Sequence, residues 1–446
     1  MGLEERLRAR VETPRTEEAP AEITSQRFHD LKAELHHQLV DRIDLASMEK
    51  LEPERQRHEL QAALSGLVSA AAVHLNRVER ERMVQELLDE LTGLGPLEPL
   101  LRDGTISDIL VNTYSTVYVE RRGLLELTRV RFRDNAHLLQ IINRIVSHVG
   151  RRVDESSPMV DARLKDGSRV NAIVPPLAVD GPLLSIRRFG TSPPTLRDLV
   201  AMESITGDAL AFLGAAVRGR LNVLISGGTG TGKTTLLNAL SALIPAGERV
   251  ITIEDSAELK LQQPHVVRLE TRPPNIEGIG EIVARDLVRN CLRMRPDRII
   301  VGEVRGGEVL DMLQAMNTGH EGSMTTVHAN SPRDALWRLE AMVGMAGVPM
   351  TEAAVRQSIA RALDVIVQLS RGSDGRRRVA SIAEVTGTEG PVVTLQELFR
   401  FEQRGVDPQG RVVGAHVGCG IRPKVMERIE RAGVDVREVM RPYLEA

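Results

Sequence analysis

The sequence predicts an α/β protein: a large domain built on a parallel sheet, preceded by a smaller α+β domain and an N-terminal helical bundle. Strand and helix patterns alternate along residues 201–446, which is typical of a parallel sheet with crossover helices. Short strand patterns flank one amphipathic helix between residues 103 and 190, and apolar residues recur at intervals of three and four between residues 21 and 102. A chain of 446 residues has room for two or three such units.

The first part of the chain is expected to be helical. Residues 1–20 mix Glu, Arg, Pro and Thr without periodicity and predict a flexible tail. In the bundle predicted over residues 21–102, Pro53 marks the start of a second helix and Gly93 follows the last one. Residues 1–90 carry 13 basic and 19 acidic side chains, a net charge of −6. That charge is consistent either with a basic partner or with a solvated helix face.

An α+β domain is predicted over residues 103–190. Its helix, at residues 136–149, should direct five apolar side chains inward: Leu138, Ile142, Ile145, Val146 and Val149. Residues 191–200 contain Pro193 and Pro194, which cannot continue a strand ladder, so this stretch is expected to be a linker between domains.

The domain predicted over residues 201–446 alternates strands with helices. Its expected strands are Leu221–Ser226, Arg249–Ile253, Arg298–Val301 and Thr325–His328. One expected helix ends at Arg218, and two more cover residues 281–294 and 308–317. The last hundred or so residues exceed a minimal nucleotide-binding core. They should therefore add helices and strands on its flank.

A phosphate-binding loop lies inside this domain. The residues that fit the pattern G-x-x-x-x-G-K-[ST] are Gly227, Gly228, Thr229, Gly230, Thr231, Gly232, Lys233 and Thr234, and Thr235 follows them. The loop follows a predicted strand and opens a predicted helix, which is the context in which the pattern binds phosphate. Backbone N–H groups can converge on phosphate oxygens there, Lys233 can reach the β- and γ-phosphates, and the Thr234 hydroxyl can ligate Mg²⁺. The sequence therefore predicts binding of ATP with Mg²⁺.

Acidic residues follow two of the predicted strands. Glu303 comes just after Arg298–Val301, and Asp255 and Glu258 follow Arg249–Ile253. Ligands bind at the carboxyl edge of parallel sheets, where Glu303 could polarise an attacking water. The alternative is that these acids cap the turns after their strands.

Composition argues against several classes of protein. Two cysteines, Cys291 and Cys419, cannot make a four-thiolate zinc site. No stretch approaches the ~20 apolar residues of a membrane span, and the charged start lacks a signal core, so a cytoplasmic protein is expected. A net charge of −3 and 10 aromatic residues argue against dedicated nucleic-acid binding.

Four motifs resemble those of the type II/type IV secretion superfamily ATPases. They are GGTGTGKTT, ITIEDSAEL, RMRPDRIIVGEVRGGE and GHEGSMTTVHAN, which match the Walker A, Asp, atypical Walker B and His boxes of that superfamily. The resemblance is strongest to the CpaF-like ATPases of Flp/Tad pilus assembly, for which it extends over roughly residues 95–425 and includes SIRRF, ETRPPNIEGIGE and FRFEQRGVDPQGRVVG.

This resemblance implies a homohexameric ring of subunits with a PAS-like N-terminal domain and a RecA-like motor domain. It assigns Glu303 as the catalytic glutamate, Glu258 to the Asp box, and His320 and His328 to the His box. Arginines of the N-terminal domain reach the phosphates in this family. Arg169 and Arg187 match their positions. Strand alternation places Arg187 and Arg188 on opposite faces of the strand, so only one of them can meet the nucleotide. We choose Arg187.

The implied function is a cytoplasmic ATPase motor, peripheral at the inner membrane, that drives pilus assembly through a platform protein. The sequence leaves open whether the motor extends the pilus, retracts it or does both. The zinc-bearing branch of the superfamily is disfavoured because the chain has no CxxC pair, so no structural zinc is expected. A conjugation-type type IV secretion ATPase is the main alternative. A nucleic-acid translocating motor fits the composition poorly, and an inactive nucleotide-gated ring fits poorly with the presence of Glu303 and Arg169. Residues 1–95 carry none of the motifs and are expected to serve docking or regulation of the ring, and not chemistry.

Overall fold

The computed structural model describes residues 27–28, 31–32, 34–35, 53–70, 75–121, 123–164, 166–188, 194–274 and 279–435. The chain forms two compact units. The first contains Met1–Glu120 with Leu125–Arg188, and the second contains Arg121–Leu124 with Phe189–Ala446. The predicted linker, residues 191–200, falls within the second unit. Its last five residues are not a linker, because they belong to the helix Leu196–Ala201, whose Leu199 is buried in the core of that unit. Residues 191–193 and the predicted tail lie outside the described residues. The five-part division of the sequence therefore remains a prediction.

The first unit joins helices to one antiparallel sheet. Its helices are α1 (Pro53–Ala70), α2 (Arg77–Thr92), α3 (Glu98–Arg102) and α4 (Asn135–Ser147), with a 3₁₀ turn at Gly95–Leu97. Its strands are β1 (Ile106–Thr113), β2 (Thr116–Arg121), β3 (Leu124–Leu127), β4 (Met159–Arg163), β5 (Arg169–Ile173) and β6 (Leu183–Arg187). They lie in the order β3-β2-β1-β6-β5-β4. The helix start predicted at Pro53 is confirmed. Gly93 is the C-cap of α2, but the prediction that it follows the last helix of the bundle is wrong, because α3 comes after it.

Helix α4 covers one face of this sheet. Four of the five side chains predicted to point inward are buried: Leu138, Ile142, Ile145 and Val146. The prediction for Val149 is wrong, because α4 ends at Ser147 and Val149 is 39% exposed in the turn that follows.

A buried polar cluster fastens α2 to α4. The Oε2 atom of Glu90 lies 2.9 Å from Nε2 of His137 on α4, and its Oε1 atom lies 3.1 Å from the ammonium group of Lys32. Arg144, also on α4, donates to the backbone carbonyls of Glu90 and Gly93 at 2.7 and 2.6 Å. The helical region therefore has its own apolar cluster, and these polar contacts join it to α4.

The second unit alternates helices and strands. Its helices are α5 (Leu196–Ala201), α6 (Gly207–Arg218), α7 (Lys233–Ser241), α8 (Ala284–Cys291), α9 (Glu308–Asn317), α10 (Pro332–Met345), α11 (Glu352–Ala362) and α12 (Met426–Arg431). Its strands are β7 (Val223–Gly227), β8 (Val250–Glu254), β9 (Val266–Glu270), β10 (Arg298–Val301), β11 (Met324–Val327), β12 (Val365–Arg371), β13 (Arg377–Glu389), β14 (Val392–Val406) and β15 (Val412–Gly418). The predicted bounds of α9 and β10 are confirmed.

These strands form one sheet in the order β15-β14-β13-β12-β7-β11-β10-β8-β9. The strands from β12 to β9 are parallel to their neighbours, and β13 to β15 extend the sheet as antiparallel strands. This confirms the parallel sheet and the added flank. Along β7, Val223 and Ile225 pack into the apolar layer of α6 and α7, whereas Leu224 packs into the layer of α8 to α11.

Helix α8 is shorter than predicted for a local reason. Ile282 exchanges two backbone hydrogen bonds with Arg272, at 2.9 and 2.8 Å. Residue 282 is therefore held in an extended bridge, and the helix begins only at Ala284. Across the described residues, no helix combines the length and the apolar character needed to cross a membrane.

The Glu90 cluster predicts a pH dependence. Burial opposes the ionisation of Glu90, but the hydrogen bond with His137 and the charge of Lys32 outweigh it and lower the pKa of Glu90 to about 2, from 4.5. A carboxyl group with a lower pKa in the folded chain than in the unfolded chain stabilises the fold above the unfolded pKa, and loses that effect as the pH falls through the folded pKa. Its contribution should therefore be complete near pH 7 and disappear between about pH 4.5 and 2.

We expect Glu90→Gln to loosen the contact between α2 and α4 at pH 7. Hydrogen bonds to charged groups contribute about 1.5–3 kcal/mol, so amide hydrogen exchange in both helices should accelerate roughly tenfold or more. The control is Glu81→Gln on the outer face of α2, since the Glu81 side chain is 67% exposed and pairs with Arg77 at the surface. Equal exchange rates in the two variants at pH 7 would contradict the role of the cluster.

Candidate functional site

The glycine-rich loop connects β7 to α7 at the centre of the second sheet. Every residue of β7 is buried, and α7 begins at Lys233. Gly230 and Gly232 have φ angles of 69° and 97°, a left-handed region that residues with a side chain rarely adopt. Gly232 is the N-cap of α7. The loop therefore delivers the first amides of the helix to the edge of the sheet, as the sequence predicts.

Close packing explains the first glycine of the loop. A methyl group added to Gly227 would lie 2.5 Å from Oγ1 of Thr231 and 2.9 Å from the carbonyl oxygen of Leu369. The same Thr231 hydroxyl donates to the carbonyl of Gly228 at 2.9 Å. Thr231 therefore closes the loop from within, and no side chain fits at Gly227.

Lys233 folds back over the loop. Its ammonium group donates to the carbonyls of Gly227 and Gly228, each at 3.0 Å. Thr234 and Thr235 follow in the first turn of α7 and are half-buried. Positive charge and helix N–H groups thus lie at one place, an arrangement suited to an anion.

Strand β10 brings Glu303 to the same edge of the sheet. The Glu303 carboxylate accepts from Nη2 and Nε of Arg305 at 2.7 and 3.2 Å. Arg305 also donates to Asp255, beyond the end of β8, at 3.1 Å. Burial lowers the pKa of Arg305, but its bonds to Glu303 and the charges of Glu303, Asp255 and Glu258 outweigh that and raise it. Arg305 therefore gathers the predicted acidic residues into one cluster.

Glu254, the last residue of β8, was not singled out from the sequence. One of its oxygens accepts from the backbone N–H groups of Glu258 and Leu259 at 2.7 and 3.0 Å. The other, Oε1, is buried and has no hydrogen-bond partner in the described part of the chain. Burial raises the pKa of Glu254. Glu254 therefore shapes the turn that carries Glu258. The alternative role of capping the turn after a strand applies to Glu254, the acidic residue that ends β8. The signal was present, since Glu254 closes an apolar strand.

The two predicted histidines lie at opposite ends of β11. His328 follows the strand, at the edge that holds the glycine-rich loop. Burial and the positive charge of Lys233 lower its pKa, against the opposing charge of Glu303. His320 precedes the strand, and its backbone N–H donates to the carbonyl of Ala315. At about 3.3 Å per strand residue, β11 separates them by roughly 10 Å or more. The structure thus brings His328, but not His320, to the loop of the same chain.

Arg169 and Arg187 belong to the first unit, where they are direct partners across β5 and β6. Opposed residues share a face of a sheet, and here it is the face away from the buried Ile186. Arg188 points elsewhere and donates to the backbone carbonyls of Asp103 and Ile106. Arg187 and Arg188 therefore point to different sides, as strand alternation predicts, while the choice of Arg187 as the residue that meets the nucleotide remains a prediction.

The chain is similar in sequence to proteins of one known family. Residues 90–419 match the type II/IV secretion system protein family. A putative conjugal transfer protein of Mycobacterium tuberculosis is 42% identical over 312 residues, which cover 69% of this chain and 88% of that protein. Conjugal transfer protein TrbB of Rhizobium radiobacter is 33% identical over 313 residues, covering 69% of this chain and 91% of TrbB.

A solved structure is similar as well. The VirB11 ATPase of the Brucella suis type IV secretion system, crystallised with sulphate, shares 31% identity, covers 65% of this chain and 96% of its own, and has a TM-score of 0.37. The family match covers well over half of the chain, and it includes the glycine-rich loop and the acidic cluster. This chain therefore belongs to the type II/IV secretion system protein family.

Proposed function

We propose that this chain binds ATP on residues 227–235 and hydrolyses it. The observation that carries the proposal is the glycine-rich loop at the end of β7, with Lys233 over it and the Glu303 cluster at the end of β10, on the same edge of one parallel sheet. Family membership supports it, and so does the description of the Brucella suis relative as an ATPase.

The residues at the loop suit Mg²⁺ as the partner of the triphosphate. Mg²⁺ prefers oxygen ligands and is held in phosphate-transferring sites by few protein groups together with the phosphates themselves. Thr234 offers a hydroxyl oxygen beside Lys233, and no cage of three or more acidic, histidine or cysteine side chains exists in the described residues. When bound, Mg²⁺ would neutralise charge that develops on the phosphate oxygens.

Glu303 is proposed as the group that takes a proton from the attacking water. Arg305, which also donates to Asp255, holds its carboxylate in place, and Glu254 sets the turn that carries Glu258. The lowered pKa of His328 favours a neutral ring near pH 7, which can donate one hydrogen bond towards the phosphates and accept another. A role for His320 in the site of the same chain has no such support.

Arg169 and Arg187 are proposed to stabilise the charge of the transferred phosphoryl group. They form a pair on the face of their sheet away from the core, and guanidinium groups match phosphate geometry with two parallel donors. The proposal covers a nucleotide bound either by the same copy or by another copy of a homohexamer.

At the level of the cell, we propose a motor that acts on inner-membrane platform proteins to assemble a Flp/Tad pilus, whether or not it also retracts the pilus. A conjugation-type role in type IV secretion is the second candidate. The names of two relatives favour it, because both are described as conjugal transfer proteins. Deleting the gene in its host separates the two: loss of pili with normal plasmid transfer supports the first, and the reverse supports the second.

Substitution of Lys233 should affect ATP binding, whereas substitution of Glu303 should affect kcat. Lys233→Ala should weaken ATP binding by about a hundredfold or more, because its charge is lost in the ground state. Glu303→Gln should keep ATP affinity within about threefold while kcat falls about a hundredfold or more, because its charge acts in the transition state. Equilibrium titration with fluorescent ATP and a phosphate-release assay measure the two effects.

Two exposed residues provide controls for these variants. Lys424→Ala and Glu389→Gln remove the same groups from the surface of the second unit and should change neither quantity. If Glu303→Gln kept more than about a tenth of kcat, Glu303 would not be the general base.

Replacement of the outward arginines should affect turnover more than binding. Arginines that meet the transferred phosphoryl group contribute up to ~10³ to 10⁵ in rate. We therefore expect Arg169→Ala or Arg187→Ala to lower kcat at least tenfold while the dissociation constant of ATP changes by less than about threefold. Arg131→Ala, at an exposed position of the same unit, is the control. Unchanged kcat in both arginine variants would remove these residues from the mechanism.

A further inference from the structure

Two arginines outside the recognised motifs lie against the glycine-rich loop. A methyl group added to Gly230 would sit 3.3 Å from Nη1 of Arg371, and one added to Gly232 would sit 3.5 Å from Cδ of Arg377. Arg371 ends β12 and Arg377 begins β13, and the two are direct partners across that hairpin. Their side chains therefore reach the two glycines with positive φ that shape the loop.

The register of the sheet explains this position. Strand β12 runs parallel to β7, and their pairing extends as far as Leu369 opposite Gly227. Because β12 continues for two more residues in the same direction, Arg371 projects past the edge where the loop begins. The contact thus follows from the backbone of one sheet and needs no movement of the chain.

The turn that closes the hairpin is rigid. The N–H group of Gly372 donates to the carbonyl of Arg376 at 2.9 Å. Asp374 accepts from the Arg378 guanidinium at 2.7 and 3.2 Å and from the backbone N–H of Val412 at 3.1 Å. These bonds, Arg378 first, lower the pKa of Asp374 far below its usual range. The hairpin can therefore hold a charged pair in a fixed place.

The next two arginines of the hairpin, Arg376 and Arg378, have partners away from the loop. Arg376 pairs with Glu203 at the surface, 3.0 Å away, and Arg378 is buried with Asp374 and lies over the ring of Phe401. Arg371 and Arg377 are the members of this basic run that face the loop. Arg371 meets the loop through its guanidinium group and Arg377 through Cδ. Both side chains, like Lys233, bring positive charge to this part of the sheet, and a surface of one sign attracts ions of the other.

We propose that Arg371 and Arg377 bind the phosphate groups of the nucleotide held on residues 227–235. The inference rests on the proposed function, because it takes a nucleoside triphosphate as the ligand of that loop. Guanidinium groups recognise phosphate through paired N–H donors, and Gly230 and Gly232 belong to the backbone that would cradle the phosphates. The two arginines act within one unit of one chain, unlike Arg169 and Arg187.

The test measures the affinity of the full chain for ATP and for inorganic tripolyphosphate. The variants are Arg371→Ala, Arg377→Ala and the double variant, with Arg371→Gln and Arg377→Gln to preserve side-chain volume if alanine disturbs the hairpin. Arg376→Ala is the matched control, and circular dichroism with a thermal melt checks folding. A charge-assisted contact to phosphate accounts for roughly tenfold or more in affinity.

We expect each single variant to weaken both ligands about tenfold or more, the double variant to weaken them further, and Arg376→Ala to leave both unchanged. Equal affinities in the wild type and the folded double variant, with Lys233→Ala still impaired, would overturn the inference alone. Weaker ATP binding with unchanged tripolyphosphate binding would also overturn it, because the arginines would then contact the nucleoside. Unchanged affinity in Lys233→Ala as well would remove the proposed nucleotide site itself.

Discussion

The common direction of β7, β11, β10 and β8 is the constraint on which the candidate site depends. Because these neighbouring strands run parallel, the residues that follow them meet at one edge of the sheet. The loop at Lys233, the cluster around Glu303, the turn shaped by Glu254 and the His328 ring are all placed by this one feature. The buried layers on both faces of the sheet hold the strands in register, so the chemistry at the edge depends on packing far from it.

The charged side chains at this edge of the sheet are held by partners. Arg305 joins Glu303 to Asp255, while Lys233 rests on loop carbonyls. A triphosphate with its metal would compete for Lys233 and leave the Arg305 bridge as the support of Glu303. The same principle appears in the first unit, where Glu90 stays ionised against the cost of burial because His137 and Lys32 surround it. A charged group removed from water, such as Glu90, is retained with partners of opposite charge or with hydrogen bonds, whereas the Arg305 side chain is 57% exposed.

Local features could be predicted from the sequence, whereas contacts between distant segments could not. The loop at residues 227–235 was predictable because only glycine fits its positive φ angles, and β10 and α9 were predictable because their apolar spacing is regular. The neighbours of the loop were not, because Arg371 and Arg377 reach it through strand pairing between segments about 140 residues apart. The contact of Glu90 with His137 spans 47 residues and has no local signal. His320 lies close to His328 in sequence, yet a strand separates them.

The most direct test of the account is a single-turnover experiment with the full wild-type chain in excess over γ-labelled ATP. If the loop, Lys233 and Glu303 form a hydrolytic site, the label should appear as free phosphate in the presence of Mg²⁺, stop when the metal is chelated, and resume when it is restored. ATP that stays bound but intact with Mg²⁺ present, under conditions in which the chain is folded and oligomeric, would contradict the central claim that this site hydrolyses ATP.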